Sequence, residues 1–317
     1  MFRPAAPLIA ALWLAAAVPS ALATEPRRGL PNAAPDPLEM LREKLAARLA
    51  ASASAASAPG NEVRIATRSE PPAAAVTRRA AAPKAVPKPQ EKPPAHWSYE
   101  GAGGPAHWGM IRPEYASCAS GERQSPIDYR ETFRVDQEPI AFDYRPGAFR
   151  VVDNGHTVQV NLASGSSIEV QGRRYELVQF HFHRPSEETI DGRRFEMSLH
   201  LVHRDATGRL AVVGLLIDAG KAHPAVGQVW ANLPLERGDE VPARTPLDLN
   251  ALLPAERGYF ATMGSLTTPP CTEGVLWMVM KQPVQLSPEQ IGIFARLYPM
   301  NARPLQRSAG RMIKESP

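Results

Sequence analysis

From His96 onward the sequence is a succession of short runs in which Val, Ile, Leu, Tyr and Phe recur at every second position, each run bounded by Gly, Asp or Pro. Period-two spacing puts alternate side chains on opposite faces of an extended strand. A chain written this way folds around a sheet and not as a helical bundle. The runs cover residues 149–152, 157–162, 167–170, 175–183, 197–203, 210–217 and 275–280. Helical stretches are few and short, at 224–231, 247–253 and 288–297. The expected fold class is therefore mostly β (α+β), as one domain over residues 95–317.

The preceding residues have a different composition. Residues 1–23 read as a signal peptide: a single early cation, Arg3, an apolar run over 8–18, and the small-x-small site Ala21-Leu22-Ala23. The run is too short to cross a bilayer core of roughly 30 Å comfortably. No other stretch is long and apolar enough, so no transmembrane segment is expected after cleavage, and the expected location is periplasmic or secreted. Residues 24–94 are rich in Ala, Pro, Ser and Arg and bury too little apolar surface to offset their ordering entropy, which predicts a disordered tail. Within it, residues 37–49 place Leu38, Leu41, Leu45 and Leu49 at helical spacing behind Asp36 and Pro37, which predicts a short helix.

The formal net charge of +4 belongs to that tail. Residues 24–94 carry 12 Lys/Arg against 7 Asp/Glu, whereas residues 95–317 carry 23 against 25. A basic tail without aromatic residues is weak support for nucleic-acid binding, and no nucleic-acid partner is expected. Weak contact with an anionic envelope surface, or self-association through the short helix, is the alternative use of the tail. There are two cysteines, Cys118 and Cys271. An even count in an exported chain suggests one disulfide, with two unrelated thiols as the alternative.

The chemistry is concentrated in the histidines. His181 and His183 are two apart in one strand-like run, so both imidazoles share a face and Phe182 takes the other. His200 stands in a second run on the face of Val202, with Leu199, Leu201 and His203 opposite. Three neutral imidazoles from two neighbouring strands leave a fourth coordination position open, the pattern of a catalytic zinc site. Spacing alone leaves satisfied structural histidines open as an alternative.

The surrounding residues carry a family resemblance. Gln179-Phe-His-Phe-His183, Ser186-Glu187, His200-Leu-Val-His203 and Gly264-Ser-Leu-Thr-Thr-Pro-Pro270 resemble the α-class carbonic anhydrases. So do His96-Trp97-Ser-Tyr99, Gln124-Ser-Pro-Ile127, Asn154-Gly-His156 and Asn301-Ala-Arg-Pro304, so that the likeness spans residues 96–306. The resemblance implies a central twisted, mainly antiparallel sheet with a conical cleft. It also implies reversible hydration of CO2 to bicarbonate and a proton by zinc hydroxide, with Zn2+ on His181, His183 and His200. Such a zinc ion lowers the pKa of bound water to about 7, a magnitude for which carbonic anhydrase is itself the reference case.

The same resemblance assigns further roles. Thr267 accepts from the hydroxide and donates to Glu187, which as a carboxylate only accepts. His156 is the proton shuttle, suited by an ordinary imidazole pKa near 6.5, and Tyr99, Asn154 and Gln159 order the water chain. Val202, Val212, Leu266, Val275 and Trp277 form an apolar wall for CO2, with Thr268 beside Thr267 at the substrate. Gln179 and the Asn301 carbonyl hold the tautomers of His181 and His183. Cys118 and Cys271 match positions bridged in exported members.

Three positions depart from the family pattern. Ser198 stands where a glutamate usually holds the third ligand, and a hydroxyl is the weaker acceptor, so poorer zinc retention is expected. Glu188 stands where histidine is common, and Arg184 where many animal members have tryptophan. The competing class of function is a carbonic-anhydrase-like binding module with weak catalysis, tethered to the envelope by the tail.

Overall fold

The sheet is built around strands whose two faces meet different surroundings. The computed structural model describes residues 96–317. The expected signal peptide, tail and 37–49 helix lie outside the described residues. Seven strands form the frame: β1 (Phe149–Asp153), β2 (Val158–Leu162), β3 (Arg173–His183), β4 (Met197–Arg204), β5 (Leu210–Ala219), β6 (Tyr259–Ser265) and β7 (Glu273–Met280). Their order across the sheet is β1-β2-β3-β4-β5-β7-β6, and shorter strands extend it to thirteen among the described residues. Every neighbouring pair is antiparallel except β5 and β7, which run parallel. The mostly-β reading holds, in a large mixed sheet with few short helices.

The expected runs become strands within a few residues of their expected ends, because each carries the Val, Ile, Leu or aromatic side chains that favour extended backbone. β6 was not anticipated. Six of its seven residues, all but Met263, are buried, but the segment holds no Val, Ile or Leu, the residues that mark the other strands in the sequence. The expected helices appear as Pro224–Trp230, the 3-10 turn Leu249–Leu252 and Pro288–Leu297. The last begins with a capping box in which Ser287 and Gln290 satisfy each other's backbone N–H groups.

One face of the sheet packs on these helices. Phe180, Phe182, Leu199, Leu201, Val213 and Leu215 enter a core shared with Trp230 and Phe294. The Phe182 ring lies 4.7 Å from that of Trp230. The opposite face of β4, β5 and β7 contributes Val202, Val212, Leu216, Val275 and Trp277 to a second, smaller apolar cluster. Full burial of each such side chain stabilises the fold by about 1.5–3 kcal/mol. The histidine triad lies on this second face, held by a sheet whose other side is clamped by the main core.

Candidate metal centre and its surroundings

Strand register brings the three histidines together. His181 on β3 is the direct cross-strand partner of His200 on β4, and His183 pairs with Ser198. Directly opposed residues share a face with their Cβ atoms about 5 Å apart. The ring centroids of the triad lie 4.9, 5.4 and 4.7 Å from one another. Each histidine offers one nitrogen within 4.8 Å of the others', so the group can hold a metal ion. Opposite His200 on β5 stands Gly214. A Cβ there would crowd a Val279 methyl at 3.1 Å and touch His200 Cδ2 at an ordinary 3.9 Å.

Hydrogen bonds select which nitrogen faces inward. His181 Nδ1 donates to Gln179 Oε1 at 2.9 Å, and His183 Nδ1 to the Asn301 carbonyl at 2.8 Å. Their Nε2 atoms are left for another partner, and that of His183 is buried without one. His200 is turned the other way, its Nε2 lying 3.1 Å from the Glu188 carboxylate. Burial pushes the pKa of His181 down to about 3 and that of His183 well below the ordinary value, with His200 adding to both shifts. Burial opposes protonation of His200 too, but the adjacent Glu188 outweighs it and raises that pKa.

Here the structure departs from the expectation for Ser198. Its hydroxyl is 3.5 Å from His200 Nε2, too long for an effective hydrogen bond, and instead accepts the Glu187 backbone N–H at 3.3 Å. The acceptor nearest to His200 Nε2 is Glu188, which lies not on the strand but in the loop after β3.

Glu187 is fully buried beside the triad, with its oxygens 3.5 Å from His183 Nδ1 and 3.9 Å from His200 Nδ1. Oε1 accepts the backbone N–H of Arg303 at 2.7 Å. Thr267 lies against the same carboxylate and lowers its pKa, although Oε2 has no bond of ordinary length among the described residues. Burial prevails over these effects and over His200, and the Glu187 carboxyl is pushed up.

The remaining expected site residues divide into two groups. Val202 pairs across the sheet with Val212, which pairs with Trp277. The Trp277 ring stands edge-on to His200 at 4.9 Å, and its indole N–H is anchored on the Ser265 carbonyl. Val275 is buried in the same cluster and Leu266 packs against it, while Thr268 is half-buried. In the second group, Asn154 donates to Gln159, and Gln159 to Asn161. Gln159 is also the cross-strand partner of His181 on the β2 side. His156 stacks on Trp97 at 3.6 Å, with its Nε2 2.8 Å from that of His96. Burial, His96 and Arg237 together lower its pKa to about 4. Tyr99 lies edge-on to Trp97, its phenol pKa raised by burial and by Glu187. Cys118 and Cys271 form a disulfide.

One contributor escaped the sequence reading, and one that it named does more than expected. Arg303 is almost fully buried. Its backbone holds Glu187, while its guanidinium donates to Gln124, Ser125 and Cys118. Nothing in a sequence marks a buried arginine that acts through its main chain. Asn301 does more than accept from His183: its amide group donates to the His156 and Phe182 carbonyls and accepts from Arg184 N–H.

Comparison with known proteins places this arrangement. Residues 103–317 match the family model described as eukaryotic-type carbonic anhydrase. The chain is 40% identical over 219 residues to a carbonic anhydrase of Pectobacterium atrosepticum, covering 69% of this chain and 90% of that one. A Neisseria gonorrhoeae carbonic anhydrase is also 40% identical, over 69% of this chain and 88% of its own length. Among solved structures, α-carbonic anhydrase from Thermovibrio ammonificans in complex with sulfanilamide superposes with a TM-score of 0.68 at 40% identity, covering 69% of this chain and 98% of that one. Dioscorin complexed with ascorbate has a TM-score of 0.65 at 31% identity, covering 69% and 97%. With its triad, its sheet and these relatives, the chain belongs to the eukaryotic-type, or α, carbonic anhydrase family of enzymes.

Proposed function

We propose that this enzyme hydrates CO2 reversibly to bicarbonate and a proton, using a zinc ion held by His181, His183 and His200. The observation that carries the reading is the convergence of three imidazoles whose outer nitrogens are each engaged by a separate acceptor. The donor set fits the metal: three neutral imidazoles suit zinc, and the unpartnered, buried His183 Nε2 is an atom that lacks a Lewis acid. Bound there, zinc supplies the charge that makes water ionisable near neutral pH, an effect for which carbonic anhydrase is the reference case.

The chain's own residues do the rest. Gln179 and the Asn301 carbonyl hold two imidazoles in one tautomer. Thr267 donates its hydroxyl hydrogen to Glu187, so its lone pairs are left to accept from the attacking oxygen. That fixes the direction from which the nucleophile meets CO2. Val202, Val212, Leu266, Val275 and Trp277 provide an apolar wall that accepts a substrate without net dipole and offers it no competing hydrogen bond, with Thr268 alongside. His156 carries the released proton outward, aided by Tyr99, Asn154 and Gln159. The disulfide, the lack among the described residues of a helix able to cross a membrane, and the signal-peptide reading of residues 1–23 support export to the periplasm or beyond.

Stopped-flow CO2 hydration by the zinc-loaded protein, run beside His200→Ala, tests the proposal. The variant is expected to lose one zinc equivalent and more than about 10³-fold in kcat/KM. A zinc-loaded wild type that does not accelerate hydration would leave a non-catalytic binding module as the better reading.

A further inference from the structure

We infer that Glu188 is the positioning residue for the third zinc ligand, and that the carboxylate holding His200 has passed from its own strand to the neighbouring loop. The inference rests on the zinc reading above. Both carboxylate oxygens of Glu188 lie 3.1 Å from His200 Nε2, and Oε2 has hydrogen-bond geometry. Ser198, two residues before His200 on β4, is at 3.5 Å and already serves the Glu187 backbone. A carboxylate has no hydrogen to donate, so Glu188 places the proton on Nε2 and turns Nδ1 of His200 toward the other two imidazoles. Ser198 has a hydrogen of its own and does not dictate the tautomer.

The loop is fixed well enough to do this. The Glu188 carbonyl accepts from Ser186 Oγ, which itself accepts the Phe195 N–H. The next residue, Thr189, begins a short strand paired in parallel with Asp128–Tyr129, and its hydroxyl donates to Asp128. The position of Glu188 is therefore set from both sides, with the Glu187 N–H bonded to Ser198 as a further tie to β4.

Burial and charge strengthen the case. Glu187 and Glu188 are 0% and 1% exposed, and two adjacent buried carboxylates are costly to desolvate. A divalent cation on the far side of His200 offsets that charge. Glu188 then acts in two ways: in the metal-free protein it pairs with the His200 ring, and with the metal bound it favours retention. Loss of a residue with a merely structural role lowers stability equally with and without the metal.

The test uses the exported, oxidised protein and zinc itself as the probe. Zinc loss to an excess of chelator is followed for wild type, Glu188→Gln, Ser198→Ala, Ser198→Glu and the exchange Glu188→Gln/Ser198→Glu. Glu188→Gln is expected to bind one zinc but release it about 10–100-fold faster. Ser198→Ala should stay within about 3-fold of wild type. The exchange variant should recover most of the retention. The Tm of Glu188→Gln should rise less than that of wild type on adding zinc. Wild-type release by Glu188→Gln, or a comparable acceleration in Ser198→Ala, overturns the inference. Loss of the zinc equivalent in Glu188→Gln without recovery in the exchange makes Glu188 a ligand and overturns it as well. A wild type that binds no zinc overturns the reading beneath it, which separates the two failures.

Discussion

His156 stacks on Trp97 and meets the exposed His96 through its outer nitrogen. In that position its pKa is lowered to about 4, first by burial and then by His96 and Arg237. The stacked ring is therefore neutral at pH 7 and accepts a proton poorly. Shuttling requires either that the ring leave Trp97 or that it hand the proton to His96. Replacing His96 by alanine removes one neighbouring charge and part of the burial, so the pKa of His156 should rise from about 4 toward the free value near 6.5. An NMR titration of the His156 ring in both proteins reads this directly, and an unchanged midpoint would show that His96 does not contribute to the shift. The residue scale also shows the limit of reading roles by position. Gln179 and Asn301 are legible because they lie next to or follow a motif, whereas Glu188 is legible only as an anomaly.

At the scale of elements, the turn after β6 carries Thr267 and ends in the disulfide. Cys271 N donates to the Thr268 carbonyl, and Leu266 N to that of Thr272, closing the turn. Cys271 itself has φ of +58°, a left-handed conformation that costs a non-glycine residue about 1–2 kcal/mol. The bridge to Cys118 and the hydrogen bond from Gln124 to the Cys271 carbonyl hold that conformation. Its two cysteines are 153 residues apart, so closing the loop contributes about 2–5 kcal/mol in the chain-entropy view. Reduction should accordingly speed trypsin digestion of the folded domain by an order of magnitude or more, about 10-fold for each 1.4 kcal/mol lost when cleavage follows opening. Equal digestion of oxidised and reduced protein would count against a role for the bridge in bracing this turn.

At the scale of the whole molecule, acid stability depends on imidazoles buried in the sheet. His203 faces the main core from β4, with Nε2 2.7 Å from the Tyr144 hydroxyl. Burial lowers its pKa to about 3 against opposing backbone hydrogen bonds. The unfolded chain takes up this proton near pH 6.5 and the folded chain only near pH 3, so stability falls as pH drops through that window and is fully present above it. Denaturant titrations of the metal-free protein from pH 7 to pH 4 should show His203→Gln losing less stability than wild type, by about one proton in the linkage slope. Parallel slopes would mean that His203 is protonated in the fold. Metal-free protein is specified because His181 and His183 also carry lowered pKa values.

What the sequence by itself determined is local and periodic. Two histidines at spacing two must share a strand face, and His200 must share one with Val202, so alternation offered the three as a candidate metal site, and the family motifs around them singled it out. The mostly-β class followed from the same signal. β6 escaped it because its segment holds no Val, Ile or Leu to mark a strand. What only the tertiary structure decided is which distant groups meet: Gly214 opposite His200, the Arg303 N–H on Glu187, and above all Glu188 in place of Ser198. These contacts depend on how loops return to the sheet, and loop paths are set by long-range packing that leaves no period in the sequence. The weak point expected behind His200 is, in three dimensions, occupied by a carboxylate from elsewhere in the chain.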